Sequence, residues 1–423
     1  MANTYISRTF GTPTNSAIWT LSFWIKRSSL SPSTSQKIFS AGTGSTDRTE
    51  ISFAGGNDGL NIYRNISGST AGLDSTRKFR DVNAWYHIVV QNNNGTAAVY
   101  VNGEAETMSS TSLGTNKINL ASTIHIFGDQ VASGQNFDGL MSHIHFVDGT
   151  IYAPTVFGST DSTTGEWQIN TSPSITMGNN GFTILKDGNT ITDQSANSND
   201  FSLSSGTLTK TEDNPSNVFA TLNVLASTST PNFSNGNTSI YANTQNSWNQ
   251  LTPATFVMPS GGKFYWEVKN TSSSHPNYIN PGFMNANYYN NLLANSGFPG
   301  NVYDADNGFW NGMQGGGDNN TYAVYRAGTA SNISISESFT NGDILSFAVD
   351  LNNRKAWLGK NGTYIQSGNP SNGTNETWSS ADIDANTDYV PGIAHYYTNP
   401  SASFNFGNGY FGTTAVSSAG TNA

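Results

Sequence analysis

The sequence predicts an all-β chain built as two β-sandwich (jelly-roll) domains, and three observations carry that expectation. Short segments of alternating polarity recur along the 423 residues, separated by Asn, Gly, Ser and Asp, the pattern of half-buried strands joined by turns. Residues 85–104, WYHIVVQNNNGTAAVYVNGE, read as a strand, an Asn/Gly turn, a second strand and another Asn-Gly turn. Residues 343–362, DILSFAVDLNNRKAWLGKNG, repeat that order about 250 residues later, too far apart for a solenoid with a period of roughly 20–50 residues. The two units are therefore expected to be central hairpins of separate domains.

In the first hairpin Trp85, His87 and Val89 alternate with Tyr86, Ile88 and Val90. Bulky groups on both faces predict a strand inside a sheet covered on both sides. Asn92–Gly95 supplies the positive-φ residues that a tight hairpin needs, and Asn102-Gly103 closes the unit.

Composition bounds the partners. Hydrophobic residues make up 35% and aromatics 12%, enough for real cores, while charged residues are only 11% against about 25% in a typical globular domain. The formal net charge is −10 with 18 basic residues and no Lys/Arg run longer than a dipeptide. This argues against a phosphate-tracking nucleic-acid surface and against docking on anionic lipid. With no cysteine, the domains stand on their cores without disulfides. The segment MANTYISRTF lacks a basic stretch followed by an apolar run, so the expectation is assembly without export. No apolar run reaches the ~20 residues that span a bilayer, so no membrane insertion is expected.

Along the chain, Ile18–Lys26 sets Trp19, Leu21 and Phe23 against Ile18, Thr20, Ser22 and Trp24. Lys37–Ala41, Glu50–Phe53, Gly59–Arg64, Thr123–Gly128 and Phe137–Val147 follow as further strands. These predict a first sandwich over residues 1–157. Residues 158–223 read as an ordered extended connector rich in Ser, Thr, Asn and Gly, with Val218–Leu225 apolar enough to dock on a neighbouring domain. A second sandwich is expected over 224–412, with Gly262–Lys269, Ser331–Thr340 and Ser403–Gly407 among its strands and a polar tail at 413–423. The only helical hint is Asn285–Asn295.

The order WTLSFWIK, WYHIVV, AVYVNGE, IFGD and FDGLMSHIHF resembles a laminin-G/concanavalin A-like jelly roll over about Tyr5–Phe157. The order GKFYWEV, GDILSFAVDL, WLGKNG and SFNFG resembles a SPRY domain. Those two domains, joined by D-x-S-x-N-x-N-D-F from Asp193 and D-N-P-S-N-V-F-A-T-L-N from Asp213, resemble tailed-phage virion proteins of the fibre, tail or capsid-surface type. The resemblance implies a virion protein assembled in the host cytoplasm, with other virion proteins and a host-surface glycan as partners and a homo-oligomeric state. It also implies Asp129, in the G-D loop, as a calcium position at the sandwich rim.

Candidate chemistry weighs against catalysis. Retaining glucanases of this fold use Glu-x-Asp-x-Glu, with carboxyls about 5 Å apart. The eight glutamates, Glu50, Glu104, Glu106, Glu166, Glu212, Glu267, Glu337 and Glu376, form no such motif. The expectation is therefore a non-enzymatic protein; the alternatives are a virion-associated polysaccharide-degrading enzyme and a purely structural docking or decoration protein. Asp382, Asp384, Asn386 and Asp388 alternate as calcium ligands do, yet Thr387 replaces the glycine of an EF-hand loop, and ordinary turns use the same residues. Asp304 and Asp306 form a shorter cluster of this kind. His143 and His145, two apart on a strand, can present both rings to one side, and His125 on a neighbouring strand completes a set able to bind zinc; hydrogen-bonded structural histidines are the alternative. Finally, Tyr288, Tyr289, Tyr303, Trp310, Trp378, Tyr396 and Tyr397 lie in Asn/Gly-rich loops of the second domain. Exposed there, they stack on sugar rings; buried, they belong to an aromatic core.

Overall fold

In the computed structural model the chain divides into two units, Met1–Val218 and Phe219–Ala423. Within 3–416 the structure describes all residues except 31–32, 133, 189, 228–230, 243–249, 274–277, 288–308, 312–322, 327–328, 335–338 and 396–398.

The first unit contains β1 (Tyr5–Thr9), β2 (Ile18–Arg27), β3 (Gln36–Gly44), β4 (Asp47–Phe53), β5 (Leu60–Ile66), β6 (Ser69–Asp74), β7 (Tyr86–Asn93), β8 (Thr96–Val101), β9 (Glu104–Ala105), β10 (Ile124–Phe127), β11 (Gly139–Asp148), β12 (Gly158–Thr160), β13 (Trp167–Ile169), β14 (Phe182–Ile184) and β15 (Ser202–Ser205). One sheet has the order β15-β1-β10-β3-β4-β5-β6 and the other β14-β11-β2-β7-β8-β9. All the strand pairings are antiparallel. This is a concanavalin A-like jelly roll. Trp19, Leu21, Phe23 and Ile25 from β2 interleave with Phe39, Ile51, Phe127, Phe146 and Phe182 to form the core between the sheets.

The opposite face of β2 and β7 is buried too, as the two-sided pattern of the first hairpin predicts. Its cover is polar where it meets water and aromatic where it packs. Trp167 from β13 lies parallel to the His87 ring at 5.9 Å and donates its indole N–H to His87 Nδ1 at 3.0 Å. His87 Nε2–H is thereby left to donate to Ser22 Oγ at 2.9 Å. The indole fits because Gly103 and Gly158 lack side chains: a Cβ on Gly103 would sit 2.3 Å from its ring. Gly103 and Asn102 also take φ of 82° and 50° in the second turn of the hairpin, where β-branched residues are strained.

Residues 158–223 are not the connector that the sequence suggested. β14 extends the six-stranded sheet by pairing with β11, and β15 extends the seven-stranded sheet by pairing with β1. Both are three- or four-residue strands, too short for alternation to register. Asp213 of the D-N-P-S-N segment is anchored in the same unit. Its carboxylate meets Lys26 Nζ at 2.8 Å and accepts the Trp85 indole N–H at 3.0 Å. Val218 and Leu225, expected to dock, are 49% and 55% exposed, whereas Leu222 between them enters the core of the second unit.

That unit contains β16 (Asn232–Ser234), β17 (Ser239–Tyr241), β18 (Gln250–Pro253), β19 (Lys263–Asn270), β20 (Ile279–Asn285), β21 (Phe309–Asn311), β22 (Ala323–Arg326), β23 (Thr329–Ser334), β24 (Ile344–Asp350), β25 (Lys355–Lys360), β26 (Thr363–Tyr364), β27 (Tyr389–His395), β28 (Ser401–Asn405), β29 (Tyr410–Phe411) and β30 (Thr414–Ala415). A sheet of order β16-β17-β28-β19-β24-β25-β26 accompanies one of order β18-β27-β20-β21. Trp266, Phe283, Phe347, Trp378 and Phe404 share its core. β24 and β25 form the second expected hairpin, and Asn361-Gly362 turns the chain into β26. Among the described residues helix is confined to short turns, including 3-10 turns at Pro154–Val156 and Ile365–Ser367. Most of the helical hint at Asn285–Asn295 lies outside the described residues.

Candidate functional site

The polar cover of the first sandwich opens at the β11–β14 edge into a cavity of about 400 Å³. One wall is the segment 171–177, which supplies Thr171, Ser172, Pro173, Ile175 and Met177. It is pinned at both ends: Asn170 N–H bonds Phe157 O at 2.9 Å, and Met177 O accepts Asp148 N–H at 2.8 Å. Between them Thr176 N–H donates to the Tyr152 hydroxyl at 2.9 Å. From the sheet come His145 and Thr183, with Lys186 just beyond β14. The remaining wall is Gln194–Asn197.

That last wall is built by the D-x-S-x-N-x-N-D-F segment. The buried Asp193 carboxylate accepts the backbone N–H groups of Thr183, Ser195 and Asn199 at 2.8–2.9 Å and the Ser195 hydroxyl at 2.8 Å. Asn197 and Asn199 each donate side-chain N–H groups to Gly181 O, at 2.9 and 2.7 Å. Phe201 closes the motif by entering the core against Phe127 and Phe182. Three acidic or amide side chains thus fix a loop without regular structure, and Gln194 and Asn197 stand at the cavity as a result.

His145 is 4% exposed; its Nδ1 meets Thr183 Oγ1 at 2.9 Å, and its ring packs on Phe157. The zinc set read from sequence does not assemble. A bulge between Ser142 and His145, where His143 takes φ 46°, breaks the two-residue alternation. His143 Nδ1 lies 2.7 Å from Ser142 Oγ. His125 belongs to the other sheet, stacked on Phe10 at 3.5 Å, with its nitrogens bonded to Thr123 O and Asn119 N–H.

The calcium positions are also taken up locally. Asp129, 2% exposed, accepts backbone N–H groups of Gln130, Gly134 and Gln135 and so braces its own loop. Asp382 accepts the N–H and hydroxyl of Ser379, and Asp388 accepts Ser260 N–H. Asp384 and Asn386 are exposed. Among the described residues no three His, Cys, Asp or Glu side chains gather as a metal site. Of the aromatics proposed to stack on sugar, Trp378 is fully buried, edge-on to Phe283 at 5.6 Å. That is a core position and corrects the sequence reading. Trp310 falls in β21, but its side chain, with Tyr288, Tyr289, Tyr303, Tyr396 and Tyr397, lies outside the described residues, as do Asp304 and Asp306.

Burial pushes His87, His125 and His145 down to about 3, with the nearby His145 adding to the effect at His87 and His143 and Lys186 adding to it at His145. All three rings stay neutral in the folded protein at pH values where the unfolded chain, titrating near 6.5, takes up protons. The unfolded state therefore binds more protons between about 6.5 and 3, and stability falls as pH drops through that window. Calorimetry from pH 7 to pH 4 should show a steadily falling melting temperature for the first unit. A flat profile would contradict neutral burial of these rings.

Comparison with known proteins bears on the fold. Residues 2–157 match the family model described as the concanavalin A-like lectin/glucanases superfamily. A search of curated proteins finds no match. Among solved structures, the SPRY domain of human HERC1 is similar at 15% identity and a TM-score of 0.31, over 44% of this chain and 98% of that one. The heptameric SAP-like pentraxin of Limulus polyphemus is similar at 18% identity and a TM-score of 0.28, over 36% and 74%. Domain 4 of the GH43 extracellular arabinanase AbnA of Geobacillus stearothermophilus, solved with arabinotriose, is similar at 21% identity and a TM-score of 0.27, over 33% and 65%. Overlaps this partial leave the reading of the site to its own residues.

Proposed function

We propose that this chain is a non-enzymatic saccharide-binding protein that uses the His145 cavity and is displayed on the surface of a tailed-phage virion. The cavity is the observation that carries the proposal. It combines hydrogen-bonding groups, among them Thr171, Ser172, Lys186 and Asn197, with the apolar surfaces of Pro173, Ile175 and Met177. Sugars offer the complementary surface, hydroxyls at their edges and C–H groups on their ring faces. No Asp or Glu is among the residues lining the cavity, whereas glycoside hydrolysis uses two carboxyls about 5–9.5 Å apart. The fold supports saccharide recognition, since the matched family groups lectins with glucanases. Virion display rests on the resemblance carried by the two joined motifs from Asp193 and Asp213. It also supplies what a weak single site needs, because repeated copies raise avidity by roughly 10²–10⁴ without new contacts.

A glycan array probed with the full chain tests the binding. Ala196, exposed at the cavity wall, can be replaced by Trp to fill the space without removing a hydrogen bond. The wild type should bind a defined subset of glycans, and Ala196→Trp should lose at least ten-fold in signal with an unchanged melting temperature. Binding unaffected by Ala196→Trp would remove the cavity from the account. Release of reducing ends from a bound polysaccharide would favour the enzymatic alternative, and absence of the chain from purified virions would overturn its proposed location.

A further inference from the structure

We infer that the cavity selects acidic saccharides, those carrying a carboxylate such as a hexuronate; this rests on the cavity being the saccharide site. The charge at the cavity is one-sided. Lys186 lines it, and among the described residues no carboxylate pairs with its ammonium group. The nearest acid in sequence, Asp187, instead accepts the Gln194 side-chain N–H at 2.6 Å. The Lys186 charge reaches both His143 and His145, where it opposes protonation, while the Asp187 charge acts the other way at His143. In a chain with 28 acidic and 18 basic residues, a cation without an ion-pair partner at a cavity lacking carboxylates is a specific arrangement.

His145 adds a second group suited to an anion. The tautomer in which Thr183 Oγ1 donates to Nδ1, 2.9 Å away, leaves Nε2–H as a donor without a protein acceptor among the described residues. His145 lines the cavity, and an N–H open there can donate to a ligand. Lys186 and His145 together offer a fixed charge and a neutral N–H, and a carboxylate can accept from both. A neutral sugar can accept from both but leaves the ammonium group without a counter-charge. Charge-assisted hydrogen bonds are the stronger kind, so the difference falls on the acidic ligand.

The test is a ligand-observed NMR titration of the full chain with a galacturonate trisaccharide and, separately, a neutral galactose trisaccharide. The wild type should bind the acidic probe at least ten-fold more tightly. Lys186→Gln, at a half-buried position, should weaken the acidic probe at least ten-fold more than the neutral one and so abolish the acid preference, with the melting temperature unchanged. Equal affinity of the wild type for both probes, or acid preference that survives Lys186→Gln, overturns the selectivity while leaving saccharide binding intact. Binding of neither probe overturns both.

Discussion

Asp213→Ala lowers the stability of the first unit by about 3–5 kcal/mol, the usual consequence of stranding one partner of a buried ion pair. Lys26 and Asp213 are 2% and 4% exposed at 2.8 Å, so removal of the carboxylate leaves an ammonium group with little access to water. The Asn83 carbonyl, 3.2 Å from Lys26 Nζ, offers partial compensation, and the Trp85 indole loses its acceptor as well. For a domain of this size the loss corresponds to a fall in melting temperature of roughly 6–20 °C. Calorimetry of the full chain measures it. Combining Asp213→Leu with Lys26→Met removes both charges and should recover part of the stability. If Asp213→Ala melts like the wild type, the segment from Asp213 is a loose link, and the extent of the first domain given above is wrong.

Trp378→Ala should act through stability and not through binding. The side chain is fully buried beside Phe283 and Phe347, and its backbone exchanges hydrogen bonds with Ala356 at 2.9 and 3.0 Å. Truncation of a core Trp to Ala costs about 3–5 kcal/mol. Urea unfolding of the second unit should shift to a lower midpoint, while glycan binding by the folded protein at low temperature stays at the wild-type level. Unchanged stability with lost binding would return Trp378 to a ligand-contacting role.

The sequence signals that proved readable were those with a fixed period or a stereochemical demand. Alternation in β2 and β7 marked both sheet faces, and the Asn-Gly pairs marked turns that require positive φ. The signals that failed were polar and local. β14 and β15 are too short for a period, so they read as linker. Trp378 and Asp382 sit among Ser, Asn and Asp, which made that stretch look like an exposed loop; the same residues instead tie a turn back over a core Trp. The cavity itself joins parts of the chain up to about 50 residues apart: a strand histidine, the wall from 171 to 177 and the loop after Asp193. No local pattern announces such a meeting. The spacing of Asp193, Ser195, Asn197 and Asn199 was visible as a motif, but its meaning as a self-bonded loop emerged only from the hydrogen bonds.

A crystal of the full chain soaked with the saccharide that ranks highest on the glycan array tests the central claim most directly. The account predicts the sugar in the cavity at the β11–β14 edge, with hydroxyl or carboxylate oxygens within hydrogen-bond reach of His145 Nε2 and Lys186 Nζ and its ring against Ile175 or Met177. A saturating soak that leaves the cavity empty, or seats the sugar solely on the second domain, would contradict it.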